Sequence, residues 1–435
     1  MESNRESIEK IKELYSHYLK NPSISTDSRS IKKGDIFFAL KGGNFDGNNF
    51  VFKAIEQGAS LVVCDNKQIE KGDKILLCDN SLTMLQSLAV YHRKQLKTTI
   101  IGISGTNGKT TTKELIQAVL SKKFKTLATK GNLNNHIGVP LTLLSIPYDT
   151  EIAIVEMGAN HVGEIGFLCD IAMPDMAILT NIGTAHIEGF GSRENIIKTK
   201  KELFEFVKNN SNEKSHIFVN ADDKALKDED FSMKTTYSLN TKADISAKAC
   251  CENGYAQILY KDNLITSKLV GVYNAYNILA ALTIGLHFGV GIERIKQAIE
   301  EYTPSNNRSQ ILKTNTNTLI LDCYNANPSS CTSSIEAFAN MEANHKMVFM
   351  GAMKELGDVS IQEHKRVFDL LQSKGFERIV LIGEEYKSVL EEDKVEWYAT
   401  SEDFKQNLIK NKIEKATILI KGSRSTKMEV LKDVL

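Results

Sequence analysis

The chain has 435 residues, beyond the size at which a single hydrophobic core keeps growing, so two or three domains are expected. Hydrophobic residues make up 42% and charged residues 25%, an ordinary globular balance that excludes a disordered chain, a collagen and a coiled coil. Lys plus Arg number 54 and Asp plus Glu number 54, so the chain is neutral and lacks the overall basic footprint of a nucleic-acid binder. The seven cysteines are scattered, odd in number and without a C-x-x-C pair. That pattern suits a reducing compartment better than a disulfide framework, and the polar N-terminus reads as an amphipathic helix, not a signal peptide. A cytoplasmic protein is the expectation.

In chain order, DIFFAL (35–40) and SLVVCD (60–65) read as strands around the helical FVFKAIEQG (50–58). TTIIGISG (98–105) is a β-rich run ending in glycine, and a helix starts at Lys109. EIAIVEMG (151–158), MAILTNIG (176–183) and HIFVN (216–220) follow as strands, then NTLILDCY (317–324), KMVFMGAM (346–353), RIVLIG (378–383) and ATILIKG (416–422), with helices between. Strand–helix alternation of this length predicts α/β domains with mainly parallel sheets, whose ligands bind at the carboxyl ends of the strands. Residues 269–292 carry no Asp, Glu, Lys or Arg, yet they hold Asn274, Asn277, His287, two tyrosines and four glycines. They read as a buried helix with a polar edge, not a membrane span. Turn clusters put boundaries near Leu96–Lys97 and Pro304–Arg308, giving domains 1–97, 98–307 and 308–435.

The sharpest local signal is Gly102-Ile-Ser-Gly105-Thr106-Asn107-Gly108-Lys109-Thr110-Thr111, a strand running through a glycine-rich turn into a helix. Backbone N–H groups of such a loop bind phosphate oxygens, with the lysine reaching the β- and γ-phosphates and the Thr110 hydroxyl reaching Mg²⁺. Ile103 stands where the strict Walker spacing wants its first glycine. Glu156 ends a strand and is expected two strands from this loop, well placed for a cation. On its own, His186 is more readily structural than ligating, and Lys200 and Lys201 on IIKTKKELFEF read as a solvated helix face. No Ser-His-Asp order, H-E-x-x-H or G-x-S-x-G is present, so the chemistry is nucleotide-driven, not protease-like.

Taken together, GTNGKTT, the strand-end Glu and TNIGTAHIEGFGS resemble the Mur ligase superfamily of ATP-dependent amide-bond ligases. The resemblance extends over nearly the whole chain: STDSRSIKKGDIFFALKGGNFDGNNF (25–50), GNLNNHIGVPLTLL (131–144), EMGANHVGEI (156–165), NADD (220–223), VYNAYNILAA (272–281), DCYNANPSS (322–330), ELGDVSIQEH (355–364) and KGSRSTKME (421–429) all match in order. GNLNNHIG and KGSR favour the branch that joins D-alanyl-D-alanine to UDP-N-acetylmuramoyl-tripeptide, because sister ligases carry a threonine-rich segment in place of GNLNNHIG. A sister ligase adding another amino acid and a P-loop ATPase without ligation are the alternative readings.

The resemblance implies three α/β domains: an N-terminal one for the UDP-muramoyl substrate, a central P-loop-type ATPase domain with a parallel sheet, and a C-terminal Rossmann-like one for the dipeptide. It implies catalytic roles for Lys109, Glu156, His186 and Lys200. ATP would be held by Gly105, Thr106, Asn107, Gly108, Lys109, Thr110, Thr111, Asn277, Arg308 and Asp322. Mg²⁺ would be held by Thr110, Glu156, His186 and Lys200, the last as a carbamate. It implies substrate contacts at Ser28 and Arg29 for the uridine diphosphate, at Asn134 and Asn135 for the muramoyl-peptide, and at Asn325, Asn327, Ser423 and Arg424 for the dipeptide. The implied partners are small molecules, with no nucleic acid and no membrane span, acting on a monomer. Tyr273, Ala352, Thr426 and Lys427 depart from the family's usual residues, outside the phosphate loop and metal set.

Overall fold

The structure is a computed structural model that describes residues 2–183, 187–305, 307–390 and 395–435, with side chains from residue 8 onward. The helix Glu2–Lys20 opens the chain and leads into a parallel four-stranded sheet in the order Ile24–Ser25, Ile36–Phe38, Leu61–Cys64, Ile75–Leu77. Ile36, Phe37 and Phe38 are all fully buried because alternate residues enter different cores. Ile36 and Phe38 pack with the helix Ser81–Gln95, and Phe37 with Val51, Ala54 and Val62. A strand covered on both faces reads as a continuous apolar run, which is why this one was visible in sequence.

The middle of the chain builds a seven-stranded sheet, parallel throughout, in the order Ile245–Ser246, Lys234–Ser238, His216–Asn220, Met176–Leu179, Thr99–Ser104, Ile152–Glu156, Thr126–Ala128. Ile101 and Ile103 face the buried helices Lys109–Leu120 and Ala275–His287, and Ile100 faces the opposite core. Ala275–His287 is the buried helix expected within residues 269–292, and no helix among the described residues is long and apolar enough to cross a membrane. The last sheet has six strands: Gln310–Lys313, Thr318–Asp322, Thr417–Lys421, Lys346–Gly351, Arg378–Ile382, Glu396–Tyr398, with only the first pairing antiparallel.

The outer strands Ile24–Ser25, Ile75–Leu77, Thr126–Ala128, Lys234–Ser238, Ile245–Ser246, Gln310–Lys313 and Glu396–Tyr398 were not among those expected, and two larger features also differ. Ile152–Glu156 pairs directly with Thr99–Ser104, setting Ile103 opposite Glu156, so the carboxylate sits one strand from the phosphate loop and not two. A three-stranded antiparallel sheet, Lys248–Glu252, Tyr255–Tyr260 and Asn263–Ile265, had no counterpart in the strand list. Its first turn is Asn253-Gly254, with φ of +51° and +83°, the two-residue loop whose twist matches a hairpin.

The first sheet is tied to the middle one by polar anchors beneath an aromatic cluster of Tyr15, Tyr18, His92 and Tyr148. Tyr18 Oη donates to the Leu144 carbonyl at 2.6 Å, and Arg93 Nη2 meets Asp175 Oδ2 at 3.0 Å while also donating to the Met173 carbonyl.

At the far side of the middle sheet, the His216 ring lies 4.3 Å from that of His287, and burial together with His287 pushes its pKa down to about 4. An unfolded histidine titrates near 6.5. The unfolded chain therefore binds the proton first as pH falls, and stability drops from about pH 6.5 down through pH 4. The ring is part-buried and reached by solvent, so we expect a loss of only about 1 kcal/mol, read as a falling urea midpoint that flattens in His216→Gln. An unchanged pH dependence in that variant would refute the assignment.

Candidate active site

The helix Lys109–Leu120 begins at Gly108, whose φ of +78° places it in the left-handed region, and no side chain caps the first turn. A Cβ on Gly105 would collide with Thr180, and one on Gly108 with Asn277. The loop is thus pressed against two neighbours, and its turn leaves the helix's first N–H groups turned toward open space. Asn181 holds Asn107 from both sides, accepting from its N–H at 3.1 Å and donating to its carbonyl at 3.0 Å. Lys109 curls back, its ammonium donating to the Gly105 carbonyl at 2.8 Å and the Thr106 carbonyl at 3.0 Å. Burial and the nearby Arg308 push its pKa down to about 8, against the opposing pull of Glu156.

This loop forms one wall of a cavity of about 690 Å³, within the range of nucleotide-sized sites. Glu156 lies at the cavity, its side chain 1% exposed. Thr110 Oγ1 donates to its carboxylate at 3.0 and 3.2 Å, and Asn134 Nδ2 donates to Oε1 at 2.8 Å. Lys113 Nζ lies 3.4 Å from Oε2. Carboxylate and hydroxyl oxygens together are the hard donors a Mg²⁺ ion takes, so Thr110 and Glu156 fit that cation. They do not complete its shell: among the described residues no three His, Cys, Asp or Glu side chains assemble.

Lys200 stands just behind this wall. It is 3% exposed, and Nζ donates to the carbonyl of Ala159, a cavity-lining residue, at 3.3 Å. The expectation of a solvated lysine pair is wrong for Lys200, because its helix Arg193–Asn209 turns this position inward, and right for Lys201 only in part, since Lys201 pairs with Glu229 at 2.7 Å. Burial, then the charge of Lys109, pushes the Lys200 pKa down to about 7, with Glu164 and Glu202 opposing.

The C-terminal sheet closes the opposite side. Asn327 Nδ2 donates to Asn107 Oδ1 at 2.8 Å, and Asn107 Nδ2 donates to Ser329 Oγ at 2.9 Å, so the phosphate loop touches the start of the helix Pro328–Asn340. Asp322 Oδ2 accepts from Lys421 at 2.6 Å and Ser334 at 2.7 Å. Burial works against this carboxylate, yet Lys421 and Ser334 hold its pKa below the ordinary value. The Arg308 guanidinium lies 3.7 Å from the Tyr324 ring centroid, and its Nε finds no partner among the described residues. A second cavity of about 250 Å³ shares Thr110, Arg308 and Tyr324 with the first and adds Arg424 and Glu429.

Comparison with known proteins matches residues 22–93 to "Mur ligase family, catalytic domain", 103–285 to "Mur ligase middle domain" and 307–424 to "Mur ligase, glutamate ligase domain". UDP-N-acetylmuramoyl-tripeptide–D-alanyl-D-alanine ligase of Bacillus subtilis is 32% identical over 99% of this chain and 98% of its own length. The chain belongs to the Mur ligase family. Membership makes it an ATP-dependent, ADP-forming amide ligase with that family's three-domain α/β architecture. The Escherichia coli relative of the same name is 30% identical, covering 94% of this chain and 92% of its own. Among solved structures, MurF from Acinetobacter baumannii superposes with a TM-score of 0.83 at 31% identity, covering 94% and 92%. MurF ligase from Thermotoga maritima in complex with ADP gives 0.81 at 28% identity, covering 95% and 96%.

Against that Mur ligase frame, the main cavity brings together Thr106, Asn107, Gly108, Lys109, Thr110, Thr111, Asn134, Asn135, Glu156, Asn277, Arg308, Asp322, Asn325 and Asn327. Gly105, packed against Thr180, does not line that cavity. The Asn277 amide is already engaged, accepting from Thr112 and donating to Asn274, so in this structure it braces the loop. Ser423 is buried, accepting from the Lys354 N–H at 3.1 Å, and lines neither cavity, while Arg424 lines the second. Ser28 and Arg29 line neither: Ser28 is buried, and exposed Arg29 pairs with Asp27 in a tight turn. His186 lies outside the described residues. Sequence reasoning missed Lys113, Tyr324 and Glu429. Lys113 could not be told from a solvated helix lysine, and Tyr324 and Glu429 stand inside the matched segments DCYNANPSS and KGSRSTKME without a chemistry of their own to mark them.

Proposed function

We propose that this Mur ligase joins D-alanyl-D-alanine to UDP-N-acetylmuramoyl-tripeptide, with ATP as the energy source, in the cytoplasmic stage of peptidoglycan synthesis. It would act as a monomer, with 1–97 holding the uridine diphosphate, 98–307 the ATP and 308–435 the dipeptide. The observation that carries this reading is the single cavity where the phosphate loop, Glu156, Asn134 and the C-terminal Arg308, Asp322 and Asn327 converge. Relatives of that name match almost end to end, and a related MurF was solved with ADP.

A carboxylate is a poor acyl donor, so it is first activated. The tripeptide's terminal carboxylate attacks the γ-phosphate of ATP, giving an acyl phosphate and ADP. The dipeptide's neutral amine then attacks the acyl carbon, and the tetrahedral adduct expels inorganic phosphate. Such transfers depend on alignment and charge neutralisation more than on protein nucleophiles. Lys109 and the loop N–H groups hold the phosphates, Asn134 and Asn135 orient the tripeptide end, and the Asn107–Ser329 and Asn327–Asn107 bonds draw the C-terminal domain over the site, which excludes water that would hydrolyse the acyl phosphate. Thr110 and Glu156 would hold Mg²⁺, joined by His186 and by Lys200 if its amine is converted to a carbamate. When bound, the ion supplies positive charge to the phosphoryl oxygens.

The second cavity suits the dipeptide: two guanidiniums beside Tyr324 for its carboxylate, and Glu429 to accept from its N–H groups. Phosphate release should require both the UDP-muramoyl-tripeptide and D-Ala-D-Ala, with a product heavier by the dipeptide less water. Arg424→Ala should raise the KM for D-Ala-D-Ala about tenfold or more, the scale of one lost charged contact, and leave the KM for ATP within about twofold. Release without dipeptide would return the reading to a sister ligase or an ATPase.

A further inference from the structure

Lys113 has no part in that scheme, yet it is among the most deeply buried charges in the protein. Its side chain is 1% exposed, as is that of Glu156. It lies one turn beyond Lys109 on the helix Lys109–Leu120. Its ammonium faces Glu156 Oε2 at 3.4 Å and donates to the carbonyl of Gly131 at 3.3 Å. Gly131 opens the segment GNLNNHIG.

That segment and Thr129 just before it are fastened to the same strand end by three further bonds, two of them at Asn134. The Glu156 N–H donates to Thr129 Oγ1 at 2.9 Å, Asn134 Nδ2 donates to Glu156 Oε1 at 2.8 Å, and the Gly158 N–H donates to the Asn134 carbonyl at 2.7 Å. The two carboxylate oxygens are therefore divided: Oε2 faces Lys113, Oε1 accepts from Asn134, and Thr110 donates to both. An ammonium in this position is a costly way to fill space, since a buried ion pair is commonly no more stabilising than apolar residues of the same volume. Its geometry does what an apolar residue could not. It holds one oxygen of the carboxylate and one carbonyl of the loop with a single cation.

We propose that Lys113 is a positioning residue that couples the cation-binding carboxylate Glu156 to the loop 131–135, so that nucleotide–Mg²⁺ and the muramoyl-tripeptide each strengthen the other's binding. The inference rests on the proposed function for the identity of the second ligand. The physical basis is competition for the same lone pairs. A cation that draws on Glu156 releases the Asn134 amide from Oε1 toward the cavity that Asn134 and Asn135 line, while Lys113 keeps the loop fastened at Gly131, so the exchange favours the second ligand. Such coupling is reciprocal by linkage, and a typical factor is about 5- to 150-fold.

The test is a binding cycle on the full chain, without turnover. Calorimetry gives the Kd for UDP-muramoyl-tripeptide with and without Mg²⁺ and a non-hydrolysable ATP analogue. Wild type should show a ratio of at least about fivefold, Lys113→Met a ratio near one, and Lys113→Arg most of the wild-type ratio. A Lys113→Met protein with the wild-type ratio overturns the proposal, as does a wild-type ratio of one. Where Lys113→Met does not fold, Lys113→Gln, which keeps a donor for Gly131 without the charge, is read in the same cycle and should lie between. A Lys113→Gln ratio equal to wild type also overturns it. Wild-type protein that binds nucleotide but no UDP-muramoyl-tripeptide would instead refute the functional reading, so the two failures are distinct.

Discussion

Lys109→Ala should lower kcat by about 10³- to 10⁵-fold, the range found when a cation is removed from a phosphoryl-transfer site. The structure explains why no neighbour can substitute. Lys109 is anchored inside the phosphate loop by two carbonyls, and among the lining residues Lys421 is paired with Asp322 while Arg308 is stacked on the Tyr324 ring of the C-terminal domain, outside the loop. Lys109→Arg should rescue little, because a planar guanidinium does not fit a pocket shaped for a point charge. The fold should survive, since only two hydrogen bonds to loop carbonyls are lost and circular dichroism should show the wild-type spectrum. The pKa of about 8 adds a pH signature: the ammonium is present below pH 8 and is lost as pH rises through it, so nucleotide affinity in the free enzyme should weaken on the alkaline side. A Lys109→Ala protein within tenfold of wild-type kcat would end the assignment.

Lys200→Ala should cost at least about 10- to 100-fold in activity, the scale of losing a group that supports a metal site, and here the chemistry has its own readout. A lysine reacts with carbon dioxide only as the neutral amine: R–NH₂ plus CO₂ gives R–NH–COO⁻ and one proton. At an ordinary lysine pKa almost no neutral amine exists at neutral pH. Burial and the Lys109 charge lower the Lys200 pKa to about 7, which leaves about half of it neutral there and most of it above pH 8. Protein equilibrated with ¹³C-bicarbonate at pH 8 should therefore show a carbamate carbon resonance that Lys200→Ala lacks. Fully active wild type with no such resonance would leave Lys200 as a plain buried amine. The assignment to Lys200, made from the register K-x-x-L-F, gains support from burial: Lys200 is enclosed, Lys201 pairs with Glu229, and Lys198 is exposed.

The parts legible in the sequence share a property: each is local. GTNGKTT is one continuous turn, and glycine at 105 and 108 is required by a left-handed turn pressed against Thr180 and Asn277. The central parallel strands were legible because burial on both faces makes each a short apolar run, whereas short or more polar parallel strands such as Thr126–Ala128 and Lys234–Ser238 were not. The hairpin at Asn253-Gly254 was legible too, through its turn residues, and was missed because its strands KACCE and YAQIL lack that apolar continuity.

What only the tertiary structure decided is the order of strands and the fate of individual charges. Pairing between Thr99–Ser104 and Ile152–Glu156 joins segments about fifty residues apart, and no local pattern encodes which strands become neighbours, so the distance from Glu156 to the loop was misjudged. A lysine on an amphipathic helix looks the same in sequence whether it meets water or a carboxylate. Lys113 and Lys200 are buried because other elements cover them, and desolvation by that cover, not residue type, sets whether such a group is an ion-pair partner, a neutral nucleophile or a solvated surface charge.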